Sequence, residues 1–186
     1  MDAWVWVAIA VAVVVIAVAA WAIARKRRSE ELRQRFGPEY DHAVIEQGGQ
    51  RGAEAELRQR VDRRESLEIR PLSKEMVVRY RGQWRNVQAK FVDEPVQACA
   101  AADTLITNVM RDRGYPMDDF EQRSADVSVD YPDVVSDYRA AHTIALANAN
   151  GKATTEDLRQ AMIHYRALFD QLVESGAPVG DRGGQR

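Results

Sequence analysis

Apolar and polar positions divide the chain into three stretches. Residues 3–24 contain only Ala, Val, Ile and Trp, 22 positions without a charge, Pro or Gly. As a helix they would extend about 33 Å, against about 30 Å for the hydrocarbon core of a bilayer. This predicts a transmembrane anchor over residues 1–24. Trp4, Trp6 and Trp21 fall near its ends, where indole rings favour the headgroup interface. A cleaved signal peptide is the competing reading, since Ala17-Val18-Ala19 has the small residues of a cleavage site. Its basic region would precede the apolar run, however, and here the basic residues follow it.

Residues 25–70 are mostly charged. Gly37-Pro38 and the glycines at 48, 49 and 52 break this stretch, and Pro38 suits the first turn of a short helix over 38–47. Residues 53–67 are compatible with a helix but offer few apolar positions, chiefly Leu57 and Val61. Glu54 with Arg58 and Glu56 with Arg60 are i,i+4 pairs in the favourable order. The stretch reads as a basic flank followed by a solvated helical stalk. Sustained apolar heptads, which a coiled coil needs, are missing.

Helical periodicity returns over residues 71–175. Ser73 can cap a helix carrying Val77, Tyr80, Trp84, Val87 and Phe91 on one face. Asp93 and Pro95 open the next, whose stripe is Ala98, Cys99, Ala102, Leu105, Ile106, Val109 and Met110, with Gly114 as its stop. A shorter helix over 117–129 turns Phe120, Ser124 and Val127 to one side. Asp130 and Pro132 read as the start of a fourth, with Val134, Val135, Tyr138, Ala141, His142, Ala145 and Leu146 along its face. Thr154 and Asp157 resemble a capping box for the last, which presents Leu158, Ala161, Met162, Tyr165, Leu168, Phe169 and Leu172. The expected fold is all-α: a transmembrane helix, a charged helical stalk and a compact bundle of about five helices. Residues 176–186 read as a disordered tail.

Charge changes the picture in one respect. The chain has 26 basic and 28 acidic residues. Four of the basic ones are Arg25, Lys26, Arg27 and Arg28, directly after the apolar run. At headgroup height each adds roughly 1 kcal/mol of attraction to anionic lipid. Basic residues beside a span stay cytoplasmic, so the expected location is the inner or plasma membrane, single-pass, with the N-terminus outside and the body in the cytoplasm. From Ser29 onward acidic residues outnumber basic ones by 27 to 22. An acidic body argues against nucleic acid as a partner.

Candidate chemistry is sparse. His42, His142 and His164 do not have metal-ligand spacing, and the single cysteine, Cys99, lies among apolar positions. His142, on an apolar face, reads as a hydrogen-bonded core histidine. No cofactor, metal or catalytic constellation is expected. Trp84 is the aromatic residue that could serve a partner, although its spacing places it in a core.

From Phe36 onward the chain resembles a group of small bacterial proteins that carry an N-terminal membrane segment and have no assigned activity. The likeness rests on residues 36–41 (FGPEYD), 113–116 (RGYP), 119–123 (DFEQR), 138–142 (YRAAH), 156–162 (EDLRQAM) and 164–166 (HYR). It implies architecture and carries no site residues over.

Two function classes lead; a third, a nucleic-acid binder working through residues 51–70, is opposed by the acids interleaved with its arginines. One is a membrane-anchored interaction or scaffold module whose partners are the lipid bilayer and another protein. The other is a small-molecule-binding or enzymatic bundle using Asp119, Glu121, Arg123, His142 and Tyr165. An apolar pocket joining those five groups would favour the second; a closed core would favour the first.

Overall fold

The computed structural model describes residues 3–174, with side chains along the first helix described at Trp4 and from Ala12 onward. The expected tail over 176–186 lies outside the described residues. Eight helices run in order: α1 Ala3–Phe36, α2 Pro38–Glu46, α3 Gln50–Glu65, α4 Lys74–Lys90, α5 Pro95–Arg113, α6 Phe120–Asp130, α7 Val135–Ala149 and α8 Thr155–Glu174. The expected all-α class holds among these residues, but two parts of that reading are corrected.

The first is the transmembrane helix. Among the described residues no helix is long and apolar enough to cross a membrane. Within the apolar run, side chains are described at Trp4 and from Ala12 to Ala24. Beyond it α1 continues without a break through Arg25–Arg28 to Phe36, because no Gly or Pro interrupts it before Gly37. The apolar run is thus the first part of a longer helix with a charged second part. The expected orientation presupposed a span.

The second is the solvated stalk. Helix α3 is docked: Ala53 and Leu57 are fully buried, and Glu54 and Arg60 nearly so. Ala53 and Leu57 join Phe36, Tyr40, Ala43 and Val129 in a small core between the end of α1, α2, α3 and α6. Few apolar positions suffice, because α3 presents the rest of its buried face as paired arginines.

A larger core fills the space among α4, α5, α7 and α8, with Val127 contributed by α6. Val127 and Val129 are two residues apart, about 200° around a helix, so α6 turns one valine to each core. The polar-looking sequence of α6 is therefore enclosed on several sides, and Ser124, Asp126, Ser128 and Asp130 are all buried.

Helix boundaries follow local chemistry. The Ser73 hydroxyl accepts a hydrogen bond from Met76 N–H at the start of α4. Thr154 Oγ1 accepts from Asp157 N–H, while Asp157 Oδ2 accepts from Thr154 N–H, a reciprocal box with Asp in the usual place of Glu. Two expected caps differ. Glu94, not Asp93, precedes α5, and it makes no side-chain cap. Asp130 ends α6 instead of starting α7, because its carboxylate is taken by Arg64 and Tyr115. Helix α6 itself begins at Phe120, with Asp119 capping Gln122 N–H.

Gly114 ends α5 at φ +98°, and a Cβ there would lie 2.6 Å from the Glu68 carbonyl oxygen. The linker before α4 passes this close because Arg70 N–H donates to Arg113 C=O at 2.9 Å. Gly114→Ala therefore faces a left-handed backbone and a backbone clash together. We expect a loss of about 1–3 kcal/mol in denaturant unfolding. A change below about 0.5 kcal/mol would mean that the linker is free to move away.

Candidate functional site

The densest polar arrangement lies where α2 and α3 meet α6 and α7. Glu39, in the first turn of α2, has a side chain only 1% exposed. Arg139 of α7 donates to it through Nη1 and Nη2 at 2.7 and 2.8 Å, and Arg60 of α3 through Nη1 at 2.7 Å. Burial alone would raise the Glu39 carboxyl. The Arg139 hydrogen bonds and charge, with those of Arg60, outweigh it and hold the group below the usual carboxylate range. The arginines also reach hydroxyls of α6, Arg139 at Ser124 Oγ (3.1 Å) and Arg60 at Ser128 Oγ (3.4 Å).

The same seam continues along α3. Arg63 Nε donates to Asp126 Oδ1 at 2.9 Å, and Gln122 donates to that same oxygen at 3.1 Å. Asp126 Oδ2 is buried without a hydrogen-bond partner. Arg64 and the Tyr115 hydroxyl both donate to Asp130 Oδ2. Burial and the Asp130 charge push the Tyr115 phenol far up. Charges in this seam are spent on one another, which fits a joint between helices.

The five residues considered for a ligand-binding bundle do not form one site. Asp119 caps α6, and with Glu121 it borders a polar cleft of about 270 Å³ shared with Glu46, Glu56, Arg60 and Arg139. Arg123 donates to the Tyr138 hydroxyl at 2.9 Å. His142 is half-buried and stacked on Phe120, ring centroids 3.6 Å apart. Burial lowers its pKa and the Arg123 charge adds to this, against Asp103 and Glu121. Its stabilising contact is thus the stacked ring, not the hydrogen bond expected of a core histidine. Tyr165 is buried in the main core and donates to Asp103 at 2.7 Å. Cys99 is fully buried, and burial followed by the Asp103 charge pushes its thiol up to about 11. That suppresses the thiolate a nucleophile requires. His164 Nδ1 pairs with Asp137 at 2.6 Å. Among the described residues no group of three His, Cys, Asp or Glu could hold a metal ion. Trp84 is 5% exposed and stacks on Phe169, so it offers no face to a partner.

What the fold leaves open is α1. Val13, Val14, Val15, Ile16, Val18, Trp21 and Ile23 are each more than half exposed, on all sides of the helix. The Arg25 guanidinium lies over the Trp21 ring, 5.6 Å from its centroid. Lys26 is exposed and 3.8 Å from Glu30, while Arg27 and Arg28 are also exposed.

No family model matches the chain. Nor does any curated protein or solved structure match it significantly. None of this bears on the expected likeness to a bacterial group.

Sequence reading alone missed that the arginines of α3 dock it against α2 and α6. Its signal was available in part, as Arg60, Arg63 and Arg64 recur at helical spacing and α6 carries Ser124, Asp126, Ser128 and Asp130 at every second position. Nothing in spacing says that two such polar helices face each other across more than 60 residues of chain.

Proposed function

We propose that the chain is a helical interaction module held at a lipid surface by the apolar part of α1, with the docked helices α2–α8 presented to a protein partner. The observation that carries this reading is the exposed apolar run over residues 12–24. A helix that is apolar all round is normally covered, and exposed patches of this size mark interaction surfaces. Each large apolar side chain fully withdrawn from water contributes about 1.5–3 kcal/mol. Arg25–Arg28 follow at once and would sit at headgroup height, where their charges meet anionic lipid. The reading requires burial of the apolar surface at the acyl boundary and no spanning segment. Its location would be the inner or plasma membrane. The ligand-binding alternative loses ground because Arg123, His142 and Tyr165 are engaged in separate places.

The full chain should float with phosphatidylcholine vesicles in a density gradient. Val14→Asp with Val18→Asp, one helical turn apart on the exposed surface, should reduce the bound fraction at least about tenfold, since each charge is costly in the acyl region. A chain that stays at the bottom of the gradient with neutral and anionic vesicles alike would refute the proposal.

A further inference from the structure

We infer that α1 and α3 together form a binding cleft for a phosphate monoester, filled by the headgroup of an anionic lipid. The inference rests on the lipid-surface reading and deepens it. The cleft is about 510 Å³ and is lined by Arg25 and Arg28 of α1, Arg51 and Arg58 of α3, Glu54, and Trp21 at its rim.

Charge is the first argument. Four guanidiniums face one carboxylate, and that carboxylate is already engaged. Glu54 Oε1 accepts from the Tyr40 hydroxyl at 3.2 Å and from Gln50 at 2.8 Å. Among the described residues, Arg28 and Arg51 make no hydrogen bond or ion pair, and Arg25 meets only the Trp21 ring. Arg58 spends Nε on the Glu54 carbonyl oxygen at 2.7 Å, which leaves its terminal nitrogens available. Along the rest of α3, Arg60, Arg63 and Arg64 are each matched by an acid. Here the match is missing, and an anion would supply it. A phosphate monoester carries between one and two negative charges near neutral pH, and its oxygens fit the guanidinium fork.

Preorganisation is the second. The two helices are held at this spacing by a chain of hydrogen bonds that includes Glu54 of the cleft wall. Gln50 donates to Ser29 Oγ of α1 at 2.8 Å and to Glu54, which in turn holds Tyr40 of α2. The arginines therefore project from a fixed frame, and less ordering is needed on binding.

Position is the third. Trp21 and Ala24 line the cleft on the side where the exposed apolar part of α1 begins. A lipid with its phosphate among the arginines would lay its acyl chains along that surface. A free phosphate shares the chemistry at the arginines but not this continuity.

The test uses the full chain and three vesicle types: phosphatidylcholine alone, and phosphatidylcholine with phosphatidic acid or with phosphatidylglycerol at matched surface charge. Phosphatidic acid offers the monoester and phosphatidylglycerol a diester. We expect at least about tenfold tighter binding to the phosphatidic acid vesicles. Arg51→Gln with Arg58→Gln, both exposed and so compatible with folding, should bring that binding down to the phosphatidylglycerol level while binding to phosphatidylcholine persists. Equal binding to both anionic vesicles, unchanged in the variant, would overturn the cleft and leave the lipid-surface reading standing. Broadening of the inorganic phosphate resonance by the native chain and not by the variant, with no vesicle bound, would establish the cleft but sink its lipid source and the proposed function. Binding to neither vesicles nor phosphate would end both.

Discussion

Glu39→Ala lowers the stability of the folded chain by about 3–5 kcal/mol, the usual cost of removing one partner from a buried ion network. Among the described residues, the carboxylate is the only acidic group in reach of both Arg139 and Arg60 at under 3 Å. Without it two guanidiniums, 19% and 7% exposed, remain pinned in the seam by Ser124, Ser128 and Glu56. Removing Arg60 as well relieves part of that cost. Glu39→Ala with Arg60→Ala should thus be less destabilised than the two single losses added together, by about 0.5–3 kcal/mol. Urea unfolding followed by circular dichroism reads both numbers. A Glu39→Ala chain within about 1 kcal/mol of the native one would show that water replaces the carboxylate and that the seam is looser than its distances indicate.

The same contact sets a pH dependence. The Glu39 carboxyl is held below its ordinary value, so the unfolded chain takes up a proton at a higher pH than the folded one. Its stabilisation is fully present above the unfolded carboxylate range of about 4–4.5 and is lost as pH falls through the folded value. Acid unfolding should therefore be shallower in Glu39→Gln than in the native chain. Glu54 contributes in the same sense. Its burial would raise it, and hydrogen bonds from Gln50, Ser29 and Tyr40 with the Arg58 charge bring it down.

Helices with a strong apolar period were readable from sequence, and those held by polar pairing were not. Every residue expected to be buried along α8, from Leu158 to Leu172, is buried, and the same is true of α5 from Ala98 to Met110. Their stripes repeat over more than three turns, so a single face is defined. In α7 the stripe holds for Val135, Tyr138 and Ala141, but Leu146 is 54% exposed and Ile144 packs instead. Burial of α3 and α6 depends on arginines meeting acids far apart in the chain, and sequence periodicity carries no such information. The expected Glu56–Arg60 pair forms, at 3.0 Å, whereas Arg58 turns to the Glu54 backbone because Tyr40 and Gln50 hold that carboxylate. Asp130 shows the same competition, since a residue suited to cap a helix is drawn off by buried donors. At the candidate site, the arginines of α1 were visible as a run, while Arg51 and Arg58 joined them only once α3 folded back.

Trp84→Ala should cost about 3–5 kcal/mol in guanidinium unfolding, with no change in what the folded chain exposes. The indole is the broadest part of the apolar face of α4, between Tyr80 and Val87, and it stacks on Phe169 of α8 with centroids 4.8 Å apart and planes 16° apart. Truncation would open a cavity between two helices that α5 holds in place, so the gap could close only in part. Loss of the ring pair adds to the loss of burial, since stacked aromatics contribute about 0.5–1.5 kcal/mol beyond area. One feature of the site works in the other direction. The Trp84 Nε1–H is buried without an acceptor, which already penalises the native chain. Trp84→Phe keeps a ring against Phe169 and removes that orphaned donor, so it should cost clearly less than the alanine variant. This ordering separates a core tryptophan from a binding anchor, for which both variants would fold normally and fail only in capturing a partner. A Trp84→Ala chain that unfolds within about 1 kcal/mol of the native one would place the indole outside the core and reopen α4 as an interaction surface.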